Sequence, residues 1–169
     1  YVAADVTNAT EVNAAVQPLI KEFGEVTGII HGAGVLADKF IEQKTLAEFN
    51  AVYRTKIDGL LSLLAASQIQ NIKHLVLFSS AAGFYGNPGQ SDYSIANDIL
   101  NKTAYRFKAL NPSAQVLSFN WGPWDGGGMV QDDDRATLDR MGIRPLSAAQ
   151  TSIALCRVLA AQNELAVVD

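Results

Sequence analysis

Cysteine is almost missing from this 169-residue chain; Cys156 is its single example. An internal disulfide is therefore excluded, and the usage fits a reducing compartment, with the cytoplasm as the expectation. Charge is sparse as well: 18% of residues are charged, the net charge is −4, and no basic cluster is visible. Nucleic acids and anionic membrane surfaces are set aside as partners on that ground. No apolar run is long enough to span a bilayer, and no signal-peptide pattern opens the chain. There is no internal repeat, no long linker and no second domain. The one composition shift is "QDDDRATLDR" (131–140), which reads as a solvated loop and helix start. No His or further carboxylate is spaced to join it, so no metal is expected.

What is present is an alternation of short apolar runs with longer helical patterns. "YVAADV" reads as a strand. Residues 8–23 place Val12, Val16, Leu19, Ile20 and Phe23 at helical spacing, and Gly24 ends that helix. "VTGIIH" (26–31) reads as a buried strand and is followed by "GAG". A long helix is expected over 45–68, then the strand "HLVLFSS", then a helix over 91–109. "AQVLSFN" (114–120) is a strand, a Gly-rich stretch runs to about 130, "SAAQTSIALCRVLAAQ" is a capped helix, and "LAVVD" is a last strand. Such alternation predicts a parallel sheet covered on both faces, with ligands at the C-terminal ends of its strands.

The chemistry-bearing residues fall at those ends. Asp5 and Val6 follow the first strand, "HGAG" (31–34) the second, Ser79 and Ser80 the third, and "WGP" (121–123) the fourth. Tyr93 and Asn97 stand at i and i+4 on one helix and share a face. A phenol has a reference pKa of ~10, so a catalytic tyrosine needs a cation close by to ionise more readily. Lys56 is the candidate. It shares its helix face with Tyr53, Leu60 and Leu64, which is unusual company for a solvated lysine. The bland alternative is a snorkelling side chain.

With Ser80, Tyr93, Lys56 and Asn97 in place, the chain resembles the short-chain dehydrogenase/reductase family. Within it, the chain is similar to the ketoreductase domains of multidomain polyketide and polyunsaturated-fatty-acid synthases. Most of the family carries Tyr-x-x-x-Lys with an Asn on the earlier helix, and synthase ketoreductases exchange the two. "YSIAN" with Lys56 upstream has the exchanged form, and "FSSAAG", "GNPGQSDY" and "NWGPWDGG" look like the same subfamily.

The resemblance implies a Rossmann-like, doubly wound parallel sheet and NADPH-dependent reduction of a β-ketoacyl thioester carried by an acyl carrier protein. Tyr93 would donate a proton to the carbonyl oxygen and Ser80 would polarise it. Lys56 would stabilise the tyrosinate and bind the nicotinamide ribose, and Asn97 would hold Lys56 or a relay water. Asp5 and Val6 would meet the adenine. His31, Gly32, Ala33 and Gly34 would lie along the cofactor, with His31 structural more often than catalytic, and Gly122 and Pro123 would border the nicotinamide. Residues 124–135 would form a mobile lid. Asp38, Tyr85, Trp124 and Met129 fall where the resemblance expects substrate handling and stereocontrol. "GVLAD" resembles the Leu-Asp-Asp segment of reductases giving the D-hydroxy product, with Ala37 replacing the middle Asp, so a (3R) product is expected.

The family's Gly-rich turn between the first strand and first helix is absent, since "HGAG" lacks G-x-G-x-x-G spacing. Residues 1–169 are accordingly expected to be the catalytic portion of one ketoreductase domain, with its first two strands absent. In the family's strand order, 3-2-1-4-5-6-7, that would detach "YVAADV" and open one edge of "VTGIIH". A missing N-terminal half or a second chain would pair there, beside neighbouring synthase domains. Two other readings stay open. One is a non-catalytic reductase-like scaffold; the other is another short-chain-family chemistry such as epimerisation.

Overall fold

The computed structural model of the chain describes residues 1–125, 135–160 and 165–168. Asn8 starts α1 (Ala9–Phe23), its Oδ1 accepting from Thr10 N and Glu11 N, and Gly24 ends it at φ +89°. A capping box between Thr45 and Glu48 starts α2 (Leu46–Ala66). Between these helices lies β1 (Gly28–His31), and after α2 comes β2 (His74–Ser80). A short α3 (Ala81–Tyr85) and a long α4 (Ser91–Leu110) precede β3 (Gln115–Trp121). Then follow α5 (Arg135–Arg140), α6 (Ala148–Ala160), with Ser147 and Gln150 capping its start, and β4 (Leu165–Val168).

The strands pair in the order β1-β2-β3-β4, all parallel, with Leu75 opposite Val116 and Ser80 opposite Trp121. One face packs Leu75, Leu77 and Val116 against α2 and α4, through Ile57, Leu60, Leu64, Leu100 and Phe107. On the other face Val76, Leu117 and Phe119 meet Leu155, Val158 and Leu159 of α6. Each such aliphatic side chain contributes roughly 1.5–3 kcal/mol when fully buried. Helices on both faces of a parallel sheet make this the doubly wound, Rossmann-like α/β arrangement, in partial form.

Two expectations change. "YVAADV" is not a strand: it has no strand partner among the described residues, Tyr1 and Val2 are exposed, and Asp5 closes a turn by accepting from Asn8 N through its carbonyl. An extended segment without a ladder leaves its backbone to water. β1 is only half-buried, because Ile29 and His31 face inward while Ile30 is 59% exposed. The residues after β2, to which the sequence assigned no element, wind into α3, and Ser80 caps it by accepting from Ala82 N at 3.2 Å. The Gly-rich stretch 126–128, most of the expected lid and Met129 lie outside the described residues.

Candidate active site

The end of β2 and the start of α4 meet through polar contacts that fix their relative rotation. Ser79, buried, donates to Asn97 O at 3.0 Å. One turn further along the same helix face, Asn101 accepts from Ser118 Oγ at 2.7 Å and donates to Asn120 Oδ1 at 2.9 Å. Tyr93, Asn97 and Asn101 therefore form an i, i+4, i+8 row pinned to two strands. Between buried groups such bonds are costly to leave unmade, so they specify one register of α4 on the sheet.

That register brings Tyr93 beside Ser80, Asn97 and Asp38. Burial raises the Tyr93 phenol above its ordinary value, the Ser80 and Asn97 side chains oppose the shift, and the Asp38 carboxylate adds to it. Asp38 is itself held by Gln90, whose Nε2 donates to Oδ2 at 2.7 Å. Lys56 is 3% exposed, and its Nζ lies 5.4 Å from the Tyr93 ring centroid while donating to Phe78 O at 3.1 Å. The four residues expected to act together are thus neighbours. Contrary to the expected depression of the phenol, the net shift is upward: the ammonium sits over the ring face and its hydrogen bond goes to a backbone carbonyl, so desolvation wins. At neutral pH Tyr93 is a protonated acid.

His31, 1% exposed, holds the Lys56 turn by placing Nε2 2.8 Å from Lys56 O. A carbonyl only accepts, so Nε2 carries the proton and Nδ1 presents a lone pair that has no partner. Burial keeps this ring neutral by lowering its pKa; the bond to Lys56 O opposes that and the Lys56 charge adds to it. Asn97 Oδ1 is a second buried acceptor without a partner, while its Nδ2 donates to Tyr93 O. Two orphaned acceptors and an ammonium with one hydrogen bond suit a ligand that brings hydroxyls, as the ribose of a nicotinamide nucleotide does.

The other expected residues are spread more widely. Val6 packs on α2, where a Cβ added to Gly59 would stand 3.0 Å from Val6 Cγ2 and 3.4 Å from His31 Cε1. Asp5 is exposed, and its carboxylate, which accepts from Thr7 N, lies below the usual range because of that backbone contact. Gly32 is exposed, with Ala33 and Gly34 half-buried. Tyr85 is 72% exposed against Phe84, and nothing lies within 4 Å of a Cβ added to Gly122. Pro123 O and Asp125 N bond Leu146, tying the segment after β3 to the start of α6. Trp124 lines a cavity of about 260 Å³ against α6 with Phe78, Trp121 and Leu155 rather than joining Tyr93.

Gly83, Asn101 and the pair Lys44–Asp92 also shape the site. A Cβ at Gly83 would stand 2.7 Å from Asn97 Cβ, so this glycine lets α3 approach α4. Asn101 was legible as a polar residue at helical spacing from Asn97 among Ala96, Leu100 and Ala104. Lys44 and Asp92 lie 48 residues apart and carried no local signal.

Burial depresses the Lys56 ammonium to about 8. Its ordinary value is 10.5, so the unfolded chain binds the extra proton between those limits and folding grows more favourable as pH rises through that window. The full penalty, about 3 kcal/mol, is present below pH ~8 and is relieved by pH ~10.5. Urea unfolding at several pH values should show the parent gaining stability on Lys56→Met between pH 8 and 10.5; parallel profiles would contradict a desolvated Lys56.

A family model described as "KR domain" matches residues 1–126. A polyunsaturated fatty acid synthase protein of Thraustochytrium sp. is 46% identical over 145 residues, covering 85% of this chain and 5% of that protein. A crystal structure of a ketoreductase domain from the bacillaene assembly line superposes with a TM-score of 0.87 at 31% identity, covering 99% of this chain and 42% of that one. A short-chain dehydrogenase from Burkholderia cenocepacia J2315, solved in complex with NADP, gives a TM-score of 0.83 at 18% identity over 99% of this chain and 74% of that one, a likeness of fold. The chain thus spans a small part of the synthase protein and less than half of the ketoreductase structure.

Proposed function

The chain belongs to the KR-domain family, and from that premise we propose that it carries the catalytic residues of an NADPH-dependent reductase of β-ketoacyl thioesters presented by an acyl carrier protein within a synthase. The observation that carries this reading is the placement of Ser80, Asn97 and Asp38 around the Tyr93 phenol, with the Lys56 ammonium 5.4 Å from its ring centroid. A scaffold has no use for that combination.

Lys56 and Asn97 would hold the ribose of a nicotinamide cofactor, which when bound would supply the hydride for the carbonyl carbon. Ser80 Oγ donates to the carbonyl oxygen and polarises it. As the C=O bond becomes C–O⁻, the Tyr93 hydroxyl proton moves to that oxygen and gives the alcohol. Lys56, charged below about pH 8, stabilises the tyrosinate left behind. Asn97 Oδ1, buried without a partner, would accept from a ribose hydroxyl or a relay water, and Asp38, fixed by Gln90, helps select the face attacked. Among the described residues β1 pairs on one side alone, with β2, which supports further strands pairing at its outer edge, beside neighbouring synthase domains.

The protein expressed from its complete gene should consume NADPH with a β-ketoacyl thioester on a carrier protein and yield mainly the (3R)-hydroxyacyl product. Chiral chromatography showing mainly (3S) product removes the stereochemical assignment; no NADPH consumption with any β-ketoacyl thioester removes the reductase reading.

A further inference from the structure

Lys44 and Asp92 form an ion pair of 2.8 Å whose side chains are 4% and 0% exposed. Lys44 Nζ also donates to Ala37 O at 2.6 Å, and the second carboxylate oxygen of Asp92 accepts from Tyr93 N at 2.9 Å. One chain of hydrogen bonds therefore runs from the carbonyl that precedes Asp38 to the backbone amide of Tyr93. Two more contacts close the same seam: Lys39 N donates to Gly89 O at 2.9 Å, and Gln90 holds Asp38.

Taking two charges out of water is expensive, and a buried pair is weak evidence for stability because apolar residues of similar volume often serve as well. Its directionality is what apolar residues cannot supply. Met and Leu would fill the space but would leave Ala37 O and Tyr93 N without their partners.

We propose that Lys44 and Asp92 are positioning residues: they clamp the segment bearing Asp38 against the start of α4 and so set which face of the ketone meets the Tyr93 proton. This rests on the reductase reading above. Neither residue touches substrate; each acts through Asp38 and Tyr93.

The test uses the protein expressed from its complete gene, with Lys44→Met/Asp92→Leu and, as a near-isosteric second variant, Asp92→Asn. Melting temperature, hydrogen exchange over residues 37–44 and the product's enantiomer ratio are measured on each. The expected result is a double variant that melts close to the parent, and an Asp92→Asn variant that melts lower because Lys44 stays buried without its carboxylate, both exchanging this segment about tenfold faster and making about tenfold more minor enantiomer. Unchanged exchange, or faster exchange with an unchanged enantiomer ratio, overturns the proposal. So does loss of folding in both variants, which would assign the pair to stability. If the parent reduces no ketone, the reductase reading and the face-selection role both fall, and exchange alone decides whether the clamp exists.

Discussion

Tyr93→Phe should lower ketone reduction by roughly 10²–10⁴-fold while leaving NADPH affinity close to that of the parent. The expectation follows from the direction of the phenol's shift. Burial holds the proton on Tyr93 at neutral pH, with Ser80 and Asn97 opposing and Asp38 reinforcing that hold. The residue is thus poised as an acid, and Phe removes the proton that is transferred to the carbonyl oxygen, leaving only the hydrogen bond from Ser80. Removing the hydroxyl leaves the Lys56 ammonium and the polar groups of Asn97 in place, so cofactor binding should survive. Ser80→Ala should cost about 10²–10³-fold, the range for losing one donor to a developing oxyanion. Steady-state kinetics with cofactor titration separates these effects. Near-normal turnover in Tyr93→Phe would remove the tyrosine from the mechanism.

Gly83→Ala should damage the site from outside it. Alanine is the better helix former by ~1 kcal/mol, and Gly83 lies within α3 with no left-handed backbone that would demand glycine. Against that gain, the new Cβ would stand 2.7 Å from Asn97 Cβ and 3.0 Å from both Asn97 C and Asp98 N. Helix backbone cannot swing aside as a flexible side chain would. Overpacking of this kind typically costs ~1–3 kcal/mol, so the clash wins. Relief requires α3 to move from α4, and Ser80 caps α3 while Tyr93 and Asn97 ride on α4. A displacement of about 1 Å can cost ~10²-fold in rate, so activity should fall about that far while the protein remains folded. Denaturant unfolding and kcat measured together check this; a Gly83→Ala protein with parental activity would mean that the α3–α4 spacing is not what aligns Ser80 with Tyr93.

Much of this architecture could be read before any coordinates. β2, β3, β4 and the helices α1, α2, α4 and α6 stand where apolar spacing and their caps put them, because burial against a two-sided sheet writes itself into the chain as periodicity. Three places escaped that logic. "YVAADV" has strand composition, yet a strand is a pairing, and no described neighbour pairs with it. Ile30 looks as apolar as Ile29, but among the described residues Ile29 packs in the core with Ile57 and Leu60 of α2 while Ile30 stays 59% exposed. α3 was hidden because five residues are too few to show a helical period. The site divides in the same way. Ser80, Tyr93, Asn97 and Lys56 were visible at strand ends and at helical spacing. By contrast, Lys44–Asp92 and the Gly83–Asn97 contact join segments distant in sequence, and only the folded chain brings them together.

Tyr93 as proton donor and a nicotinamide as hydride donor leave separate marks on the product. The most direct measurement supplies NADPH deuterated at the transferable C4 position together with a β-ketoacyl thioester, and follows the label into the product by mass spectrometry. One deuterium at C3 of the hydroxyacyl product is expected in the parent protein, and almost no labelled product with Tyr93→Phe over the same time. Unlabelled product from the parent, or equal labelling rates in the two proteins, would contradict these roles.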